Sequence, residues 1–152
     1  MAETGSFSTN TGIEFNLKAY YSYTQNTSTN KSEVTVTLKL RHNTISATAL
    51  SGSYLSVAGN KVAYDGKRIS QSSSSVNETT LATKTVTVSH DSDGTGSCTI
   101  KADFVFNGTY GGKYIGTLSL NKTLTLQTIP RSSTFSVPSS VNTGSSLKIG
   151  IT

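Results

Sequence analysis

The feature that most constrains this chain is a one-for-one alternation of apolar with polar, mostly hydroxyl-bearing, residues. In residues 33–42, Val34, Val36, Leu38 and Leu40 alternate with Thr35, Thr37, Lys39 and Arg41. In residues 83–106, Val86 and Val88 alternate with Thr85 and Thr87. Cys98, Ile100, Ala102, Phe104 and Phe106 then alternate with Thr99, Lys101, Asp103 and Val105. Successive side chains of a strand point to opposite faces, so a period of two describes strands with one dry face and one wet face. Between the halves of the second stretch lies Asp91-Ser92-Asp93-Gly94-Thr95-Gly96, whose Asp-Gly supplies the positive φ a tight turn needs. The pattern predicts a β-hairpin over residues 83–106.

Fifty of the 152 residues are Ser or Thr, 25 of each, and 34% are hydrophobic with no Trp. So thin an apolar content is also met in disordered chains. Here the apolar residues are gathered on single strand faces, Pro occurs twice and β-branched residues abound, which together predict folded β structure. The net charge is +5, and Lys113, Lys122, Arg131 and Lys148 lie in residues 104–152, which carry no acid. These cations stand about ten residues apart on different expected strands, unlike the dense basic clusters of nucleic-acid binders. A solvated surface is the expectation, with neither nucleic-acid binding nor membrane insertion. The start, MAETGSFSTN, has no basic and apolar regions of a signal peptide, and no apolar run approaches roughly 18 residues. Cys98 has no second cysteine to pair with and sits at an apolar-face position, so it reads as a small buried hydrophobe.

The alternation predicts about eight strands. A first long strand spans residues 12–23 and a polar loop spans 24–32. The strand at 33–42 has a short continuation through Ile45, Ala47 and Ala49. A hairpin turns around Gly59-Asn60, and Asp65-Gly66 marks a further turn. The low-complexity run at 71–75 is expected to join two sheets. Asn107-Gly108 and Gly111-Gly112 frame Tyr110 in a flexible connection. A last strand at 117–127 turns Leu118, Leu120, Leu124 and Leu126 inward, with Lys122 interrupting that face at a bulge or at the strand's exit from the core. The fold class is all-β: an antiparallel two-sheet sandwich, immunoglobulin-like or related. The expected organisation is a sandwich module at 1–128, a linker at 129–145 opened by Pro130, and at 146–152 the start of a second, truncated β module.

Three segments, GSFST near the start, HDSDGTGS in the middle and LNKTLTLQTIPRSS near the end, resemble the minor structural proteins of tailed phages of Gram-positive bacteria. The resemblance covers roughly residues 5–152 and implies a β-rich N-terminal module in the virion tail, at or near its host-facing end. It implies other tail subunits and copies of the same chain as partners, and it carries over no catalytic residue.

The residues themselves point to a scaffold. Asp91, Asp93 and Gly94 resemble the opening of a calcium loop, yet the remaining oxygen ligands are missing and a turn is the simpler reading. His42 and His90 each end an apolar strand face and are expected to cap the core edge. No nucleophile-elbow GxSxG occurs. No catalytic residue, metal ligand or cofactor is therefore assigned, and the five Asn-x-Ser/Thr sequons follow from the abundance of Ser and Thr. Tyr is the enrichment that bears on function. Tyr20 falls on the wet face of the first strand, and Tyr110 and Tyr114 flank the Gly-rich connection. Exposed Tyr among hydroxyl and amide groups suits sugar stacking or a protein interface, while scattered Tyr also simply covers sheet edges. These three are the candidate ligand-binding residues, with a host cell-surface glycan as the ligand class.

Overall fold

A computed structural model of the chain describes residues 2–131. The expected linker beyond Arg131 and the module at 146–152 lie outside the described residues. The described chain is all-β, with ten strands: β1 (Ala2–Ser8), β2 (Asn16–Asn26), β3 (Lys31–His42), β4 (Ile45–Thr48), β5 (Tyr54–Val57), β6 (Asn60–Ala63), β7 (Arg68–Gln71), β8 (Asn77–Ser89), β9 (Gly96–Tyr110) and β10 (Lys113–Leu126). Two four-stranded sheets, ordered β1-β2-β3-β8 and β10-β9-β5-β6, form the sandwich. Every pairing is antiparallel. A two-stranded ribbon, β4 with β7, joins the passage from β3 to β5 with the passage from β6 to β8. The run at 71–75 lies on the second of these inter-sheet passages, where it was expected.

The faces follow the alternation. Val34, Val36, Leu38 and Leu40 of β3 and Leu17 and Ala19 of β2 are fully buried. They meet Leu55 and Val57 of β5 and Ile100, Ala102 and Phe104 of β9 in one core. Phe15 enters from the β1–β2 connection and stacks on Tyr110 with ring centroids 4.4 Å apart.

The stretch at 83–106 is not a hairpin. β8 pairs with β3 and β9 pairs with β10 and β5, so residues 90–95 arch from one sheet to the other. The reversal is as tight as the Asp-Gly predicts: Gly94 has φ +89° and its N–H donates to the Asp91 carbonyl at 2.8 Å. The hydrogen-bonding edges of the two strands nevertheless turn to different partners.

Other boundaries move for physical reasons. The strand expected at 12–23 begins only at Asn16, as β2, and an unexpected strand, β1, precedes it; residues 9–15 loop around Asn16. The Asn16 side chain accepts from the Thr11 N–H and donates to the Ile13 carbonyl, both at 2.9 Å. β2 then runs on to Asn26, where the polar composition had suggested a loop. Residues 107–112 are no flexible connection, since β9 continues to Tyr110 and turns through Gly111-Gly112 into β10. The β5–β6 turn is Ala58-Gly59, with φ +50° and +82°, one residue earlier than expected. Lys122 marks no bulge: the β10 ladder is continuous past it, and the register shift lies between Ile115 and Thr117. Ile129 is fully buried and its N–H donates to the Gly94 carbonyl at 2.9 Å, so the polypeptide stays on the sandwich past residue 128.

Candidate functional site

The outer face of β1-β2-β3-β8 is a lattice of hydroxyls. The ladder register sets Ser6, Tyr20, Thr37 and Thr83 in one row across the sheet and Thr4, Ser22, Thr35 and Thr85 in the next. Thr35 and Thr85 share a hydrogen bond at 2.9 Å. Thr4, Ser6, Tyr20, Ser22, Thr35 and Thr37 line a shallow hollow of about 450 Å³.

Tyr20 does not stand up from this lattice. It lies half-buried across β3, and its hydroxyl donates to Glu78 Oε1 at 2.6 Å. Lys18 and Lys39 place their ammonium groups 5.1 and 5.5 Å from its ring centroid, within cation–π range. Lys18 and Lys39 are directly paired across β2 and β3, a like-charge juxtaposition whose repulsion is offset by the ring within reach of both. Glu78 also meets Arg41, which bonds Glu14 on its other side, at 3.5 and 3.1 Å. Wet-face parity placed Tyr20 on the correct side of the sheet. Its anchor on Glu78 is 58 residues away and left no local signal.

Tyr110 and Tyr114 sit in the β9–β10 hairpin, on the other sheet from Tyr20, so the three candidates do not converge. Tyr110 is held in the fold. Its ring lies on Phe15, its hydroxyl donates to Asn43 Oδ1, and the Asn43 N–H donates back to that oxygen at 2.9 Å. Tyr114 is 65% exposed. Of the three, it presents an open ring.

The residues weighed as chemistry are occupied in building turns. Asp93 Oδ1 accepts from the Thr95 N–H at 3.0 Å and from the Thr95 hydroxyl at 2.6 Å, and these bonds hold its carboxyl below the usual range. No group of three potential metal ligands occurs among the described residues. Both histidines are buried at strand ends. His90 Nδ1 lies 2.7 Å from the Gly94 carbonyl and Nε2 lies 2.7 Å from the Ser32 hydroxyl. His42 Nδ1 lies 2.8 Å from the Asn43 carbonyl and Nε2 lies 2.7 Å from the Thr79 hydroxyl. A carbonyl only accepts, so in each ring Nδ1 donates, and Nε2 shares its hydrogen bond with a hydroxyl that can give or take the proton. Cys98 is buried, and desolvation pushes its thiol pKa up. No helix among the described residues is long and apolar enough to cross a membrane.

Fold and surface together define an all-β sandwich in which Asp93, His42 and His90 hold turns and strand ends. Across residues 1–152 the chain matches a family profile described as "Siphovirus protein of unknown function (DUF859)", and it belongs to that family. It is a phage protein. No curated protein and no solved structure matches it.

Proposed function

We propose that this protein is a non-enzymatic structural component of the virion tail of a siphovirus of Gram-positive hosts, set toward the host-facing end. Membership of a siphovirus family along the whole chain is the observation that carries this reading. The architecture supports it, because the side chains that resemble catalytic or metal-binding groups are engaged in holding turns. Other tail subunits and further copies of the chain are its partners. Quantitative mass spectrometry of purified virions, with immunogold labelling, tests the assignment. Gold at the tail tip is expected, and absence of the protein from purified particles overturns it.

A second reading, recognition of a cell-surface glycan, is favoured by one observation. Tyr114 offers an exposed ring on a hairpin, the amphipathic surface that stacks on sugars. In cell-wall pull-downs, binding by the native chain that Tyr114→Ala abolishes supports this reading. Equal retention of both proteins removes it.

A further inference from the structure

The four edges of the two sheets are not equally protected. Native sheets blunt their edges with inward-pointing charges, bulges and very short strands. β8 carries Lys84 at an inward register position, opposite the buried Val36, and a bulge beside Leu38. β10 carries Lys122 opposite the buried Ile100, and a register shift after Ile115. β6 is four residues long and includes Lys61. β1 has only one such device, the charge of Glu3 opposite the buried Tyr23 near its start. It is seven residues long, AETGSFS, pairs with β2 in one unbroken register, and contains no Lys, Arg or Pro.

The ladder direction shows which groups of β1 are free. The N–H of Thr9, the next residue along, donates to the Leu17 carbonyl of β2 at 3.0 Å. Backbone N–H and C=O groups alternate sides along a strand, so those of Glu3, Gly5 and Phe7 also face β2. Those of Thr4, Ser6 and Ser8 face away. Nothing in β1 from Glu3 to Ser8 is buried. On the inner side of this edge, Tyr21 lies against bare Gly5, where an added Cβ would stand 2.3 Å from its hydroxyl oxygen. Tyr21 also meets the half-buried Phe7 at 5.3 Å between ring centroids. A regular ladder edge whose one charge lies near its start, with a half-covered aromatic pair beneath it, is a template for another strand.

We propose that β1 is a homotypic pairing edge. It takes β1 of a second copy of this chain, antiparallel, about a two-fold axis at Gly5, and so fuses two four-stranded sheets into one. Three features of the strand select a second copy in this register. An axis at Gly5 pairs all of Ala2–Ser8, whereas any other axis shortens the overlap. It also joins outward-facing residues to outward-facing residues, Thr4 with Ser6 of the second copy and Ser6 with Thr4, which antiparallel hydrogen bonding requires. Finally, it sets Glu3, the only charge in β1, against Phe7 of the second copy. An axis at Glu3 would bring the two carboxylates face to face. The rows of outer hydroxyls then run on from one copy into the next. This inference rests on the geometry of β1 and not on the tail assignment.

Sedimentation equilibrium of the full 152-residue chain tests it. The native protein is expected to sediment as two chains at micromolar concentration. Ser6→Pro removes an N–H that faces away from β2, so it should sediment as one chain with an unchanged circular dichroism spectrum and unfolding midpoint. A mixture of Thr4→Cys with Ser6→Cys chains should form an intermolecular disulfide on mild oxidation. Their paired Cα atoms would stand about 5.5 Å apart, inside the range a disulfide spans. Thr4→Cys alone should form little, and Cys98 is buried and does not compete. A monomeric native chain overturns the proposal. So does a dimer that survives Ser6→Pro, or a mixture that does not cross-link. None of these results touches the detection of the protein in virions, which tests the tail assignment separately.

Discussion

The imidazole of His90 shares a hydrogen bond with the hydroxyl of Ser32 at 2.7 Å, tying the inter-sheet arch to the first residues of β3. The other ring nitrogen donates to the Gly94 carbonyl, so one side chain holds both ends of the reversal. Asn30 completes the corner, donating from Nδ2 to the carbonyls of His90 and Asp91 at 3.1 and 2.8 Å. Gly94 then passes the constraint on, because its carbonyl accepts the N–H of Ile129. The arch, the β2–β3 turn and the segment that follows β10 are therefore one structural unit.

Two glycines with nearly the same backbone separate the cost of conformation from the cost of contact. Gly66 has φ +88° with nothing near its absent Cβ. Gly94 has φ +89° with the Ile129 carbonyl oxygen 2.0 Å from that position. Gly66→Ala should lose about 1–2 kcal/mol, the price of a left-handed residue with a side chain. Gly94→Ala should lose clearly more, since backbone atoms of Ile129 must also move. Urea unfolding of the two variants side by side makes the comparison, and equal losses would refute the contact with Ile129.

The face assignment has a sharper consequence. Val36 and Phe104 are fully buried, so Val36→Asp or Phe104→Asp sinks an unpaired carboxylate into the core and should unfold the module. Thr37 is the residue between two buried positions, on the outer hydroxyl lattice. Thr37→Asp should change stability by less than about 1 kcal/mol, as expected of a substitution on a wet sheet face. Thermal melts followed by circular dichroism decide between the two outcomes.

The phenol of Tyr64 donates to the Asp103 carbonyl at 2.5 Å and is 7% exposed. Burial, with the nearby Asp103 carboxylate adding to it, raises its pKa far above the ordinary value of about 10. A raised folded-state pKa contributes stability that is complete below the unfolded value and is lost as pH climbs above it. The module should therefore lose stability steeply above about pH 10, where the unfolded chain ionises this phenol freely. In Tyr64→Phe the hydrogen bond is gone at neutral pH, and the alkaline limb should be visibly shallower. An identical alkaline slope in the variant would assign that loss to other groups.

The strands with two-faced alternation were legible residue by residue, because period two is a local property of the chain. β3, β9 and the inner positions of β10 follow directly from it. The arch was misread as a hairpin because both need the same tight reversal at Asp93-Gly94. They differ only in which neighbours the strand edges bond, and that is set by β3 and β10 at long range. β1 left no periodic signal, since AETGSFS buries nothing fully from Glu3 onward and pairs with β2 alone. The candidate tyrosines show the same division. Parity put Tyr20 on the wet face, but its anchoring to Glu78 and that of Tyr110 to Asn43 join residues 58 and 67 apart in the chain.

Tyr110 and Tyr114 lie in one hairpin and should part company on substitution. Tyr110→Phe keeps the ring on Phe15 but strands the two polar groups of Asn43 that its hydroxyl satisfies. A loss of about 1–3 kcal/mol is expected. Tyr110→Ala also empties the space beside Phe15 and should lose roughly 3–5 kcal/mol, the usual cost of deleting a packed aromatic ring. Tyr114→Ala removes a ring that is 65% exposed and should leave the unfolding midpoint nearly unchanged. Any effect of Tyr114→Ala on cell-wall binding is then an effect on recognition, whereas loss of binding in Tyr110→Ala reports a damaged fold. A Tyr114→Ala protein destabilised as much as Tyr110→Ala would mean that this end of the hairpin packs against something the exposed ring does not reveal.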